Sequence, residues 1–383
     1  VAIRSRFTRG RTRVSQAVNR VARRSVAFWC KGDIGLARLD WLKRAVCYYA
    51  MSRRIRGEAV GALALLVVAV AAGDAAATGA PLLTASPSKG RIVFSRHKAN
   101  TNYADVYVTD PDGTNLRKVP QASPLEGGGS AVWSPDGSKL LLSNIFPTGR
   151  TRKIGFRPAI VNPDGSNFRL LLVPGAPPDM WCGAWSPDGK RLLCNFGGKT
   201  PGVFSIRASD GGDLVRLSKN PFGANGRDLP GDYSPDGSKI VFVRVKPGKN
   251  PNPDEINNTA AVFVANADGS GNLRQLTPYG AVNPHDFGAV AHWSPDGRHI
   301  TYGSAVSNNS GVIVIVRPDG TGRRTIDFGA FPQAPGWSPD GKKIVFTMFV
   351  GQETDIFTAN SNGTGLFRLT HTKSQELTAD WGR

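Results

Sequence analysis

The chain has 383 residues, 40% hydrophobic and 20% charged, which is the balance of a folded soluble protein rather than a disordered one. Its net charge of +19 points first to nucleic acid, but the excess is local: residues 1–56 hold 15 Lys/Arg against Asp33 and Asp40, and the remainder nets only +6. A mildly basic body with few clustered Lys/Arg is weak evidence for nucleic acid as the partner.

Residues 1–50 form an Arg-rich leader without clear periodicity. A basic stretch follows, Met51–Glu58 (MSRRIRGE), then the apolar run Ala59–Gly73 (AVGALALLVVAVAAG) and small residues, the order of a secretory signal peptide. As a helix the 15-residue run reaches about 22 Å, short of the ~30 Å hydrocarbon core, so a permanent anchor is the weaker reading. The membrane is a partner only if this segment stays uncleaved. Because a signal peptide begins near its own basic region, Met51 reads as the start and 1–50 as an over-long or disordered leader. The predicted organisation is leader 1–50, signal peptide 51–77, linker 78–85 and folded body 86–383. The predicted location is outside the cytoplasm: periplasmic, cell-surface or secreted.

The body is a repeat. The tetrapeptide SPDG begins at Ser134, Ser186, Ser234, Ser294 and Ser338, each time after an aromatic: Trp133, Trp185, Tyr233, Trp293 and Trp337. A sixth aromatic, Trp381, continues the spacing of 44–60 residues. Self-similarity on this scale marks a repeat array or a propeller. Each unit continues with a β-rich run (Lys239–Val245, KIVFVRV), a variable polar loop and a second β-rich run (Ala261–Ala267, AVFVANA). A second glycine turn and a short last strand (Leu273–Thr277, LRQLT) complete it, giving four strands per unit.

SPDG itself is turn chemistry. Proline presets φ at the second position, aspartate suits the third and glycine takes the left-handed position that follows, the three-residue hairpin loop with a glycine bulge. Its aspartates are therefore turn residues and not ligands, and the aromatics before it are placed as packing between blades.

Six aromatics and six second-turn glycines, at 113, 165, 211, 269, 320 and 363, imply six units, although SPDG occurs only five times. The sixth unit is split. Ser86–Phe94 (SPSKGRIVF) matches SPDGKKIVF without its first strand, and the chain ends at ADWGR, where that strand should stand. The predicted fold is all-β: a six-bladed β-propeller of four-stranded blades, its ring closed by the C-terminal strand near Leu377–Trp381 pairing with the N-terminal strand near Arg91–Ser95. Closure protects the sheet edges.

The aromatic-SPDG-xx-(I/L)-x-(F/L) pattern, followed by segments such as Asn266–Thr277 (NADGSGNLRQLT), resembles the propeller repeat of the periplasmic TolB family over about Ser86–Trp381. The resemblance implies a six-bladed propeller acting outside the cytoplasm. TolB proteins carry an α/β domain ahead of the propeller, and only a short stretch separates the signal segment from the first strand here, so the resemblance is expected to stop at the propeller. Related propellers also precede the catalytic domain of prolyl-oligopeptidase-like enzymes, but the sequence has no G-x-S-x-G elbow.

The SPDG turns should share one face of the disc and the variable loops the other, where function usually lies. The candidate binding-face residues are Phe222, Tyr279, His285, Asp286 and His292, with Arg152, Lys153 and Arg157 on a basic loop. No catalytic set, cofactor or metal site is predicted, since no H-x-x-x-H or C-x-x-C spacing occurs. If Ser186 pairs with Lys190 in its hairpin, Cys182 lies opposite Cys194. Their Cα atoms should then stand about 5–6 Å apart, within disulfide reach, with two buried thiols as the alternative. The function expected is a monomeric, non-catalytic binder of a protein or cell-envelope polymer. A glycan-active lyase or hydrolase at the channel mouth is the alternative.

Overall fold

In the computed structural model, residues 90–382 are described except for 98–102, 121–124, 127–129, 146–156, 177–179, 197–200, 224–225, 248–258, 283–289 and 308–309. The basic leader, the signal-peptide segment and the linker lie outside the described residues.

The strands follow the repeat. β1 (Arg91–His97), β2 (Tyr103–Thr109) and β3 (Arg117–Lys118) begin the chain of blades. The two-residue β4 (Leu125–Glu126) leads into blade 1: β5 (Ala131–Trp133), β6 (Leu140–Ile145), β7 (Arg157–Val161) and β8 (Arg169–Leu170). Blade 2 is β9 (Met180–Trp185), β10 (Arg191–Phe196), β11 (Gly202–Arg207) and β12 (Val215–Arg216). Blade 3 is β13 (Arg227–Tyr233), β14 (Lys239–Lys246), β15 (Thr259–Asn266) and β16 (Arg274–Gln275). Blade 4 is β17 (His292–Trp293), β18 (Ile300–Ser307), β19 (Ser310–Val316) and β20 (Arg324–Ile326). Blade 5 is β21 (Pro332–Trp337), β22 (Lys343–Val350), β23 (Glu353–Asn360) and β24 (Phe367–Arg368). The last strand, β25 (Glu376–Gly382), pairs antiparallel with β1 and completes blade 6 from both ends of the chain. The protein is thus an all-β, six-bladed propeller with its ring closed as the sequence predicts.

The SPDG turns have the predicted form. Gly137, Gly189, Gly237, Gly297 and Gly341 all lie at φ of 68–73°, and each glycine N–H donates to the serine carbonyl of its turn. Each serine hydroxyl donates to the turn aspartate at 2.5–2.7 Å. The same carboxylate accepts the backbone N–H two residues on. Carboxylates that accept such bonds favour the ionised form. For Asp136, bonds from Ser134 and Ser138 hold the carboxyl at about 2.

The aromatics before these turns are packing residues. Each of the six clusters of buried apolar side chains lies between two neighbouring blades and contains one of them: Trp133, Trp185, Tyr233, Trp293, Trp337 or Trp381. Each packs back onto the preceding blade. Trp381, for example, meets Val345 and Ile356 of blade 5 together with Ile92 and Phe94 of its own. Indoles bring the area that seals sheet against sheet. At the rim, Arg169, Arg274 and Arg324 reach to carbonyls of the next blade, at Ala208, Pro318 and Ser361.

Four innermost strands carry a bulge two or three residues before the aromatic. The extra residue is Gly183 in β9 and Gly231 in β13; β21 and β25 shift register in the same place. A Cβ on Gly231 would meet the Ala291 carbonyl oxygen at 2.2 Å and that of Val241 at 2.8 Å, so only glycine lets the inner strands of blades 3 and 4 approach this closely.

Cys182 and Cys194 face each other in register and form a disulfide, with Cα atoms 3.9 Å apart rather than about 5–6 Å. The hairpin is one residue longer than counted, since Ser186 bonds Arg191, and the Gly183 bulge returns the cysteines to the same pairing.

Candidate functional site

Two places on the ring gather polar and aromatic groups. The first lies on the loop face of blade 3. At its base Asp228 of β13 and Arg244 of β14, opposite each other in register, are almost fully buried and joined by two bonds, Nε to Oδ1 at 2.8 Å and Nη2 to Oδ2 at 2.7 Å. A buried ion pair of this kind needs its remaining lone pairs satisfied. Ser218 donates to Asp228 Oδ2 at 2.6 Å and Asn220 Nδ2 to Oδ1 at 2.8 Å. Asn220 Oδ1 then accepts the backbone N–H of Phe222 at 2.9 Å. The buried carboxylate therefore fixes the loop that carries Phe222.

Above this base Phe222 and Tyr279 meet edge to face with ring centres 6.2 Å apart, bringing together the loops that enter and leave blade 3. Phe263 lies 6.1 Å from Tyr279. Arg244 stands 5.0 Å over Phe263 and the Lys246 ammonium 5.9 Å over Tyr279, geometry in which a cation meets a ring face. Burial pushes the Tyr279 hydroxyl upward. Phe222 and Tyr279 are only partly buried, so the pair forms an open aromatic ledge beside a cation.

The second place is the channel at the ring axis, on the SPDG face. A cavity of about 280 Å³ is lined by SPDG prolines, the six aromatics and the residues just before those aromatics. At that pre-aromatic position blades 1, 2 and 5 carry Val132, Ala184 and Gly336, whereas blades 3, 4 and 6 carry Asp232, His292 and Asp380. His292 Nδ1 is 3.8 Å from Asp232 Oδ2. Asp380 Oδ2 accepts the Trp133 backbone N–H at 2.8 Å, from blade 6 to blade 1. Burial raises the Asp380 carboxyl, opposed by the Trp133 N–H and the His292 charge.

The structure redistributes the predicted site. Phe222 and Tyr279 come together as one patch. His292 is not on the loop face: as the residue before Trp293 it lines the axial channel at the SPDG end. Arg157 is not on an exposed basic loop either; it opens β7 and is 9% exposed. Arg152, Lys153, His285 and Asp286 lie outside the described residues. Asp228, Arg244 and Lys246 escaped the sequence reading, as did Asp232 and Asp380. The signal for the channel residues was the position before each aromatic, where charge replaces Val, Ala or Gly. No group of three or more His, Cys, Asp or Glu side chains arranged to hold a metal occurs among the described residues.

Fold and strand order define a six-bladed propeller, and comparison with known proteins narrows the class. No family model matches the chain. It is 32% identical over 84 residues to the Tol-Pal system protein TolB of Francisella tularensis subsp. mediasiatica (strain FSC147), spanning 21% of this chain and 19% of that protein. It is 32% identical over 121 residues to the protein of the same name from Anaeromyxobacter dehalogenans (strain 2CP-C), spanning 31% of this chain and 24% of that one. The crystal structure of TolB from Acinetobacter baumannii superposes with a TM-score of 0.55 at 16% identity, covering 85% of this chain and 73% of that one. The chain therefore spans about a fifth to a quarter of the curated relatives it matches. It is a TolB-like six-bladed β-propeller.

Proposed function

We propose that this is an exported, non-catalytic propeller that binds a protein or cell-envelope polymer, with the loop face of blade 3 as part of its contact surface. The observation that carries this reading is the Phe222–Tyr279 ledge, held from below by the buried Arg244–Asp228 pair. An accessible aromatic pair on a rigid base, with a cation beside it, has the character of a binding hot spot. Export is supported by the signal-like order of residues 51–77 and by the likeness to TolB, named in its relatives as a component of the Tol-Pal system.

Photo-crosslinking in the native cell tests it. A crosslinker at Phe222 should join a defined partner, and one at Ser138, on the SPDG face, should not. Tyr279→Ala with the crosslinker at Phe222 should abolish the adduct while leaving the unfolding free energy within about 1 kcal/mol of wild type, as for a side chain already partly exposed. Equal labelling from both faces, or an adduct unchanged by Tyr279→Ala, refutes the assignment. The intact mass of the protein from native cells tests export: a chain beginning between 73 and 80 is expected, and one retaining residues 1–72 refutes it.

A further inference from the structure

The seam that closes the ring contains buried charge with unmet hydrogen bonds. Glu376 opens β25, and its side chain is 0% exposed. Oε1 accepts from Arg96 Nε of β1 at 2.6 Å and from Thr372 at 3.2 Å. The Glu376 backbone N–H donates to Thr354 of blade 5 at 3.0 Å, so this one residue ties the last strand to both neighbours. Yet three polar atoms here are buried without a partner: Glu376 Oε2, Arg96 Nη2 and, next on β1, His97 Nε2.

The surrounding charges are largely committed elsewhere. On the β2 side Asp105 stands opposite Arg96 in register and pairs with Lys118 of β3 at 2.9 Å. On the blade 5 side Asp355 is fully buried and paired with Arg368 of β24. Arg96 is stacked over Tyr107, its guanidinium carbon 4.3 Å from the ring centre. Burial keeps the His97 imidazole below its ordinary value, so it adds little positive charge. The nearby Thr370 hydroxyl donates to Asp355 Oδ1 at 3.3 Å. Glu376 therefore has one cationic partner reaching one of its two oxygens, while the other oxygen accepts no hydrogen bond. Such an oxygen is costly as part of an anion and far less so as part of a neutral carboxyl.

We propose that Glu376 makes closure of the ring proton-linked: docking of β25 onto β1 takes up a proton at this carboxyl, and the seam is tighter in mildly acidic medium than at neutral pH. Burial raises the Glu376 carboxyl above its ordinary 4.5, and the like charge of Asp355 adds to this. Bonds from Thr370 and Arg96, with the Arg96 charge, oppose it. A carboxyl raised in the closed form stabilises that form below its open-chain value, and the contribution fades as pH rises through the closed-form value. The seam, unlike the other inner-strand pairings, would then respond to the acidity of the medium.

Hydrogen exchange followed by mass spectrometry between pH 5 and 8, corrected for intrinsic exchange, tests this in the full chain. Protection of 376–382 is read against 227–233, the matching inner strand of blade 3, in the same molecule. In the wild type the ratio should fall several-fold from pH 5 to 8, with a limit of about tenfold per pH unit for one proton. In Glu376→Gln it should be flat and exceed the wild type at pH 8. A flat wild-type ratio, an equally steep variant, or a seam less protected in the variant at pH 8 overturns the proposal. Should Glu376→Gln fail to fold, 13C-carboxyl glutamate labelling of the wild type decides. Only Glu126, Glu255, Glu353 and Glu376 follow residue 77, and one resonance must titrate above the ordinary glutamate range. If none does, the proposal fails.

Discussion

Deleting Leu377–Arg383 takes seven residues from the end of the chain, a change most domains absorb because termini carry few contacts. Here those residues are an inner strand. The deletion removes Trp381 and Leu377, 4% and 5% exposed. It strips β1 of its partners from Arg91 to Ser95. It also exposes Trp133, which packs so closely on Gly382 that a Cβ there would lie 2.1 Å from the indole. Losing a buried Trp costs about 3–5 kcal/mol and a buried Leu about 2–5, so the side chains alone amount to about 5–10 kcal/mol. Total stability of a domain is about 5–15 kcal/mol. The truncated chain should therefore lack a cooperative urea transition or lose more than half its midpoint, read by tryptophan fluorescence and circular dichroism with size exclusion alongside. Trp337→Ala is the matched control, because it removes the same kind of side chain between blades 4 and 5 without opening the ring. It should cost only about 3–5 kcal/mol. A truncated chain that unfolds cooperatively and loses less than Trp337→Ala would refute the view that the ring depends on its closing strand.

Three further outcomes follow from local geometry. The Asp136 carboxyl is held at about 2, below its ordinary 3.8, so its contribution is present above pH 4 and lost as pH falls toward 2; urea midpoints in that window should drop less steeply in Asp136→Asn than in the wild type. Gly231→Ala forces a Cβ against two carbonyl oxygens and should cost about 1–3 kcal/mol or more by overpacking. Gly223→Ala, a left-handed glycine with open space around it, should cost less by urea titration. The disulfide closes a short loop with a sequence separation of 12, so Cys182→Ala/Cys194→Ala should lose about 3 kcal/mol on the chain-entropy account, measured against the oxidised wild type.

What the sequence makes legible is whatever recurs. SPDG, the aromatic before it and the second glycine turn appear often enough to expose four strands per blade, six blades and a split closing blade. What recurs only as geometry is harder to read. The bulge is Gly183 in β9 and Gly231 in β13, but β21 has Ala334 and Pro335 there and β25 has Thr378 and Ala379, so no shared letter marks it. Its effect is large. Near the turn of blade 3 Tyr233 pairs with Ile240, and counting onward without a bulge puts Arg244 opposite Leu229. The extra residue at Gly231 brings Asp228 opposite instead and creates the buried pair beneath the aromatic ledge. The cysteine pairing was readable only because the longer turn and the bulge cancel. His292 is ambiguous in the sequence for a related reason: it ends a long variable segment yet directly precedes Trp293, and pairing with Thr301 draws it into the inner strand.

The ring also shows why its function is less legible than its fold. Six-fold repetition fixes the positions of the aromatics and turns, and those positions serve the scaffold. Departures from that repetition are where side chains are free to serve something other than the scaffold, and two of those in the described ring gather aromatic or ionisable groups. On the loop face, among the described residues, blade 3 alone brings an aromatic from the loop entering it against one from the loop leaving it. Along the axis the pre-aromatic position is small or apolar in three blades and ionisable in three. Asp232 of blade 3 and Asp380 of blade 6 stand opposite one another around a six-membered ring, with His292 beside Asp232 and the side-chain-free Gly336 between His292 and Asp380. A scaffold needs no charge at its axis, where burial already strains the Asp380 carboxyl toward its neutral form. Asp380 is costlier there than the Val, Ala or Gly of blades 1, 2 and 5, and the Trp133 backbone N–H, donated from blade 1, offsets part of that cost.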